Sequence, residues 1–310
     1  GVEMLDVRPS WPRLRRMDYA DVAIAWISSD SLRELNPKIL RIYSVQINDW
    51  LLNGLGYDQF VDVYVAVSQA HRGHLWREAG NPGPTAQVEV IPNGVDTTRF
   101  SAHGSVQRIP HRCVYLSSPD RGLHWALAMW PEIRFAYPDA ELHIFYEVQQ
   151  WIDKAILLNS EVGIRARYVI KRIEALKHHG VVLRGAVPPT QLAQELLQAD
   201  VMIYPCDPVR FTEGFGTAIL EACAAGVIPV ITDADALGEI YGESGACVIQ
   251  RSPGREWTDL YTEVVLKLLG NSEREALRLP LREFAARFEW RIVAGKWQEM
   301  IERRWREKRG

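Results

Sequence analysis

The chain has 310 residues, of which 47% are hydrophobic and 24% charged, and its formal net charge is −3 at pH 7. This length is typical of two domains with sizeable cores, and the near-neutral charge gives no reason to expect nucleic acid as a partner. The four cysteines lack zinc or disulfide spacing, and no signal peptide or apolar run of about 20 residues is visible. We therefore expect no transmembrane segment and a cytoplasmic protein, either free or peripheral to a membrane.

Short apolar runs alternate with helical patterns along the chain, which is typical of parallel α/β sheets. The predicted strands of the first third lie at residues 22–26, 39–45, 61–67 and 88–91. Four strands in about 100 residues is fewer than a self-sufficient doubly wound domain usually has. Either the first strands are missing from this chain, or its first lobe is naturally small.

A second series of strands begins at residue 112. These predicted strands lie at residues 113–116, 142–145, 181–183, 201–204, 228–231 and 246–249. Six strands with intervening helices make a complete Rossmann-like domain. The polar segment 97–110 is the predicted linker, so the lobes are assigned to residues 1–107 and 108–310. From residue 272 the chain is predicted to be helical, with the last helix packing back across the first lobe.

The most informative segment is EGFGTAILEACAAG at residues 213–226. It follows a predicted strand and turns through Gly214 and Gly216 into a helix, a pattern that holds phosphate oxygens at a positive helix end. Glu221 is the only charged residue between Thr217 and Gly226. Ribose hydroxyls would supply the hydrogen-bond donors that such a carboxylate needs. A buried glutamate paired with an arginine is the alternative interpretation.

A second candidate phosphate site follows the strand at 113–116. Ser117, Ser118, Arg121 and Gly122 lie where α/β sheets bind ligands, at the carboxyl end of the lobe's first strand. The forked donors of Arg121 can pair with diphosphate oxygens. A capped Asp–Arg turn is the alternative, but two such sites on one sheet favour ligand binding.

Two further motifs allow more than one interpretation. Asn93-Gly94 follows a strand and is ordinarily a turn, although its place before the linker predicts the floor of a cleft between lobes. Asp233 and Asp235 form an Asp-x-Asp pair that could hold a divalent metal. Helix-cap and turn roles explain both aspartates, so we predict no metal site.

In combination, these segments resemble a known family over roughly residues 60 to 300. IPNGVD at 91–96, followed by Arg99 and Phe100, is similar to the hinge motif of the retaining GT-B glycosyltransferases of family 4. SSPDRGL at 117–123 resembles that family's phosphate loop, and Glu213 with Glu221 its Glu-x7-Glu motif. The resemblance implies an α/β GT-B fold of two Rossmann-like parallel-sheet lobes facing a cleft. It also implies a retaining hexosyltransferase that takes a UDP- or GDP-sugar as donor and needs no metal or other cofactor.

The resemblance also assigns roles to residues. Glu213 and Arg121 are the implied catalytic residues, Glu221 takes the ribose hydroxyls, and the backbone at residues 184–187 receives the nucleobase. The implied donor-binding set is Ser117, Ser118, Arg121, Gly122, Tyr146, Arg184, Gly185, Val187, Glu213, Gly214, Phe215, Gly216, Thr217 and Glu221. The implied cleft or acceptor-side residues are Gln46, Asn48, Asn93 and Gly94. The acceptor itself is a sugar, a lipid or a polysaccharide.

The sequence departs from the family in its first lobe and at the phosphate loop. Many relatives carry an additional arginine where this chain has Leu116 or Ser117, and the family has a Gly-rich loop after its first strand that is not visible here. Gln46, Asn48 and Asp49 occupy the region where a sugar-contacting histidine is sought. Two alternatives therefore stay open: a sugar-nucleotide epimerase on the same scaffold, and a donor-binding remnant with little transfer activity. Oligomeric state does not follow from the sequence.

Overall fold

The computed structural model describes residues 20–26, 29–46, 59–78, 87–252, 254 and 256–310. Across these residues there are ten strands and ten α-helices, in the following order. The strands are β1 Val22–Trp26, β2 Leu40–Ser44, β3 Val63–Ala66, β4 Gln87–Val90, β5 Arg112–Tyr115, β6 Glu141–Ile144, β7 Val181–Leu183, β8 Val201–Tyr204, β9 Ile228–Thr232 and β10 Cys247–Ile249. The helices are α1 Gln69–Glu78, α2 Leu123–Ala136, α3 Val148–Ala155, α4 Glu161–Leu176, α5 Pro189–Gln198, α6 Thr217–Ala225, α7 Leu237–Tyr241, α8 Glu256–Gly270, α9 Arg278–Ala286 and α10 Trp290–Arg309. Every predicted strand is present, with ends that differ by at most two residues.

The chain forms two compact units. The first runs up to Asn93 and also includes Arg291–Gly310, while the second is the continuous stretch Gly94–Trp290. The segment predicted as a linker lies inside the second unit, and its first part is the 3-10 turn Thr97–Gly104. Arg108 fixes the rest of that segment, because its guanidinium donates to the carbonyl oxygens of helices α5 and α6, with 2.6 Å to Ala225 O.

The first unit contains a parallel sheet of the order β1-β2-β3-β4. Strands β2 and β3 are buried at every position because both faces of the sheet are covered. Leu75 of α1 packs with the residues of one face, and Val293 and Met300 of α10 pack with those of the other. The prediction that the last helix packs on the first lobe is therefore confirmed.

The second unit contains a parallel sheet of the order β10-β9-β8-β5-β6-β7. This is the doubly wound Rossmann order, in which the chain moves outward from β5 on one side and from β8 on the other. The two central strands are direct neighbours, with Cys113 opposite Val201 and Val114 opposite Met202. Ligands of such sheets bind beyond the carboxyl ends of these two strands, where the strand order reverses. In the part of the chain that is described, no helix has the length and apolar character needed to cross a membrane.

Candidate functional site

Two loops meet at the carboxyl ends of β5 and β8. We call residues 116–122 the β5 loop and residues 205–216 the β8 loop. Gly122 brings them together, because it adopts a φ of +105° and a Cβ there would lie 2.0 Å from the carbonyl oxygen of Pro205. Only glycine therefore fits this position without moving one of the loops. The contact places the two predicted phosphate-binding segments side by side.

A buried polar cluster joins the two loops. Glu213 is 2% exposed, and its Oε1 lies 2.5 Å from Arg121 Nη1. The hydroxyl of Tyr204, the last residue of β8, donates to the same Oε1 at 2.8 Å and lies 3.1 Å from Ser117 Oγ. The structure thus brings Ser117, Arg121 and Glu213 together, as their predicted shared role requires. The sequence analysis did not identify Tyr204. The signal that could have found it is a hydroxyl-bearing residue at the end of a buried strand.

Electrostatics keep this cluster paired. Burial raises the pKa of Glu213, and the guanidinium of Arg121 offsets part of that rise. Burial is the largest single effect on Arg121 and by itself would lower its pKa, but Glu213 and its other neighbours together outweigh burial, so the pKa is raised. Burial and the neighbouring Glu213 hold the pKa of Tyr204 well above its ordinary range, so the phenol stays a donor. The cluster therefore holds Arg121 of the β5 loop, which is partly exposed, against Glu213 of the β8 loop.

Helix α6 begins at the end of the β8 loop. Its N-cap is Gly216, with a φ of +78°, and the hydroxyl of Tyr241 donates to the Gly216 carbonyl at 2.8 Å. The side chain of Phe215 is 3% exposed and packs against Tyr241 and Phe288. For Phe215, only the backbone is therefore left to contact a ligand. Thr217 is exposed at the first turn of α6, where the helix dipole favours anions.

The aspartates of the Asp-x-Asp pair hold loops. Asp235 Oδ2 accepts hydrogen bonds from the backbone N–H groups of Thr212 (2.8 Å) and Glu213 (2.9 Å). Asp233 Oδ1 accepts from the backbone N–H of Arg251 at 3.0 Å. Neither caps the following helix, since α7 starts at Leu237 with Ala236 as its N-cap. Among the described residues, no group of three or more potential metal ligands gathers anywhere.

A charged hub around Asp207 fixes the start of the β8 loop. Its carboxylate accepts from Trp125 Nε1 at 3.0 Å and Arg251 Nη1 at 2.9 Å, and Arg165 Nη2 lies 3.3 Å away. Arg165 also donates to the carbonyl oxygen of Asp120, so it ties the β8 loop to the β5 loop. No signal in the sequence pointed to this hub, because its members come from four separate elements.

Glu221 lies on α6 with its side chain half-buried. Burial raises its pKa, and Arg99 is the one charge that lowers it. The Arg99 guanidinium already donates to Asp96 Oδ2 at 3.0 Å. Within the described residues, the Glu221 carboxylate has no hydrogen-bond donor. It is therefore a partly buried acceptor that a ligand hydroxyl could reach, and its contact with the ribose hydroxyls stays a prediction.

The predicted nucleobase segment follows β7, on the same edge of the sheet. Arg184 N donates to Ile144 O at 2.9 Å, and Gly185 turns the chain with a φ of +68°. Ala186 N donates to Glu147 Oε1 at 3.0 Å. Two further predicted residues, Tyr146 after β6 and Val187 after Ala186, are partly exposed.

The predicted acceptor-side residues are Gln46, Asn48, Asn93 and Gly94, and their shared role stays a prediction. Gln46 belongs to the first unit, and its amide donates to Ser44 Oγ at 3.1 Å. Asn48 lies outside the described residues. Asn93 is the residue at which the first unit gives way to the second. Gly94 is buried, and a Cβ there would come within 2.6 Å of the Trp290 ring, so close packing by itself explains a glycine at this position.

Two Rossmann-like parallel sheets, with a C-terminal helix that belongs to the first unit, define the GT-B fold class. Solved structures of glycosyltransferases share this fold. The pneumococcal O-GlcNAc transferase GtfA, in complex with UDP and GlcNAc, superposes with a TM-score of 0.71 at 15% identity, covering 95% of this chain and 59% of that one. Sucrose-phosphate synthase from Thermosynechococcus elongatus gives 0.70 at 14% identity, covering 95% and 76%. At such identities the likeness shows the fold alone.

Sequence similarity identifies the family of the chain. The profile of the family described as Glycosyl transferases group 1 matches residues 111–271, and the chain belongs to this family. A GDP-mannose:cellobiosyl-diphosphopolyprenol alpha-mannosyltransferase of Xanthomonas campestris is 27% identical over 238 residues, 75% of this chain and 56% of that protein. A GDP-mannose-dependent alpha-(1-6)-phosphatidylinositol monomannoside mannosyltransferase of Mycolicibacterium smegmatis is 28% identical over 273 residues, 81% of this chain and 64% of that protein. The chain thus spans between half and two thirds of the length of these curated relatives.

Proposed function

We propose that this protein transfers a hexose from a nucleotide-diphosphate sugar to an acceptor hydroxyl, with retention of configuration and without a metal ion. The observation that carries the proposal is the convergence of Ser117, Arg121 and Glu213 at the point where the strand order reverses between β5 and β8. Family membership supports the same reaction class. The GDP-mannose named for the relatives makes a GDP-linked mannose the first donor to test.

The donor would lie across the carboxyl edge of the second sheet. Arg121 and the positive end of α6 would face the diphosphate, and Glu221 would accept from the ribose hydroxyls. The nucleobase would lie along the β7 loop at residues 184–187. In this arrangement the chain supplies positive charge at the diphosphate where a metal ion would otherwise act.

The reaction breaks the bond between the anomeric carbon and the diphosphate oxygen. Arg121 and the α6 N-terminus stabilise the charge that develops on this leaving group. Glu213 is an unsuitable nucleophile, because its carboxylate is buried and its Oε1 is engaged by Arg121 and Tyr204. We therefore infer attack by the acceptor oxygen on the same face that the diphosphate leaves. The acceptor proton then passes to the departing phosphate oxygen, which balances the step.

The acceptor proposed is a lipid-linked sugar, since the names of both relatives specify a polyprenol-linked or phosphatidylinositol-linked acceptor. Such an acceptor fits a protein that works at the cytoplasmic surface of a membrane. No nucleic acid partner is part of the proposal.

Nucleotide binding is the first test. A thermal-shift series with GDP, GDP-mannose, UDP and ADP should raise the melting temperature most for the correct base, since ligand at 100 times its Kd stabilises by about 2.7 kcal/mol. Product analysis then follows with a labelled donor and an acceptor lipid extract. A glycosylated lipid with the donor's anomeric configuration supports the proposal, whereas an epimerised donor sugar points to the isomerase alternative. If no nucleotide shifts the melting temperature, the donor site is wrong.

A further inference from the structure

The corner between α3 and α4 exposes four large apolar side chains. Leu157 is 83% exposed, Leu158 50%, Ile164 62% and Tyr168 40%. The corner is tight, because a Cβ on Gly163 would lie 1.9 Å from the carbonyl oxygen of Leu158. Ile164 and Tyr168 are one helical turn apart on the same side of α4. We call these four residues the α3–α4 patch.

Three exposed cations border the patch: Lys154, Arg167 and Lys171. Arg167 Nη1 donates to the carbonyl oxygen of Ile156 at 3.2 Å, which fixes its guanidinium beside Leu157. Lys171 lies one turn further along α4 from Arg167. The patch therefore combines an apolar centre with a positive border.

The acidic residues nearby are largely engaged. Glu161 pairs with Arg165 at 2.6 Å, and Glu174 pairs with Lys177. Asp153 accepts a hydrogen bond from Gln149 Nε2 at 2.8 Å. The neutral Gln149 amide does not cancel the charge of Asp153, but three cations (Lys154, Arg167 and Lys171) stand against it, so the border keeps a net positive charge.

We propose that the α3–α4 patch docks onto an anionic lipid membrane. Apolar side chains of such a surface enter the boundary between headgroups and acyl chains, while lysine and arginine meet the anionic headgroups. Lysine is depleted in protein–protein interfaces, which favours a lipid surface over a protein partner. The positive charges of Lys154, Arg167 and Lys171 complement anionic headgroups and therefore favour an anionic membrane as the binding partner of the patch.

Two residues of the patch, Ile164 and Tyr168, lie on α4, the helix that also contacts the loops of the proposed donor site. Arg165 of α4 contacts Asp207 and the carbonyl oxygen of Asp120, which belong to the β8 and β5 loops. Docking through α4 would hold these loops close to the bilayer surface. The proposal rests on the proposed function only in this respect, because a lipid-linked acceptor has to be met at that surface.

Vesicle co-sedimentation tests the proposal. The protein should bind vesicles of phosphatidylcholine mixed with phosphatidylglycerol, bind phosphatidylcholine vesicles weakly, and lose affinity as salt is added. Arg167→Gln with Lys171→Gln should lower the partition coefficient by roughly tenfold or more, given the contribution expected for each cation. Leu157→Ser with Ile164→Ser should lower it to a similar extent.

Two matched controls separate the patch from general surface effects. Phe135→Ser removes an apolar side chain that is 89% exposed on α2, outside the patch. Lys267→Gln with Arg306→Gln removes two exposed cations elsewhere. Both controls should bind vesicles like the wild type. GDP should stabilise the wild type and all variants equally in thermal shift, which shows that the variants fold.

Three results would overturn the proposal: no binding of the wild type to anionic vesicles, equal losses in patch and control variants, or vesicle binding that the patch variants leave unchanged. A wild type that self-associates in light scattering, with monomeric patch variants and no vesicle binding, would instead assign the patch to a protein interface. Vesicle binding without any GDP effect would leave membrane docking intact and refute the proposed donor site.

Discussion

Two replacements of Glu221 test the stability of the empty protein and the donor site: glutamine for stability, and alanine for nucleotide binding. Burial raises the pKa of the folded Glu221 carboxyl above its ordinary value of 4.5. The folded protein then holds this proton more tightly than the unfolded chain does. The contribution of Glu221 to the unfolding free energy therefore falls as pH rises from 4.5 through the raised folded pKa.

The amide of Glu221→Gln has no such penalty. We therefore expect the ligand-free variant to melt at a higher temperature than the wild type at neutral pH. The difference should disappear below pH 4.5, where both proteins carry a neutral side chain. A variant that is less stable than the wild type at neutral pH would show that the carboxylate has a partner within the protein.

Nucleotide binding should change in the opposite direction. Hydrogen bonds to a charged group contribute about 1.5–3 kcal/mol, so Glu221→Ala should weaken GDP binding roughly tenfold to 150-fold. Isothermal titration calorimetry with GDP and with 2′,3′-dideoxy-GDP measures this directly. The dideoxy nucleotide should bind the wild type and Glu221→Ala about equally. If Glu221→Ala still prefers the ribonucleotide, the ribose assignment is refuted.

Three further predictions concern the loops and the metal. Arg121→Ala leaves the buried Glu213 without its cation, so the free energy of unfolding measured in urea should fall by about 3 kcal/mol, and GDP binding should weaken. An unchanged free energy of unfolding would contradict the ion pair. Gly122→Ala places a Cβ against Pro205 O at a φ of +105°, so it should lower the melting temperature more than Arg165→Ala, which removes hydrogen bonds without overlap. A chelator should leave GDP binding and any transfer unchanged, whereas a strong requirement for Mg²⁺ or Mn²⁺ would refute the metal-free mechanism.

The fold could be predicted well from the sequence for a physical reason. Parallel strands that are covered on both faces are short, continuous apolar runs, and the intervening helices complete the βαβ pattern. Strand ends shifted slightly, as at β3, where the apolar run at 61–67 is longer than the hydrogen-bonded stretch Val63–Ala66. The hydrogen-bonded part of a strand ends where its neighbouring strand ends, and an apolar pattern alone does not show where that is.

The candidate site could be predicted in part. Glu213, Glu221 and Arg121 stood out because charges beside glycines and short strands are local features of the sequence. The Asp207 hub was not predictable, since Arg165 and Arg251 lie more than 40 residues from Asp207 on either side, at separations of 42 and 44. Contacts of this kind follow from strand order, which a single sequence does not specify residue by residue.

The assignment of α10 to the first unit has a consequence for the order in which the protein matures. The second unit is continuous in sequence, so a nascent chain can complete it before α10 has been made. The first unit cannot close in the same way, because Val293 and Met300 belong to the core that covers Leu40 and Ile42. During synthesis that apolar sheet face stays uncovered while the whole second unit is being translated. This interval exposes the strands of the first sheet to aggregation and to chaperones.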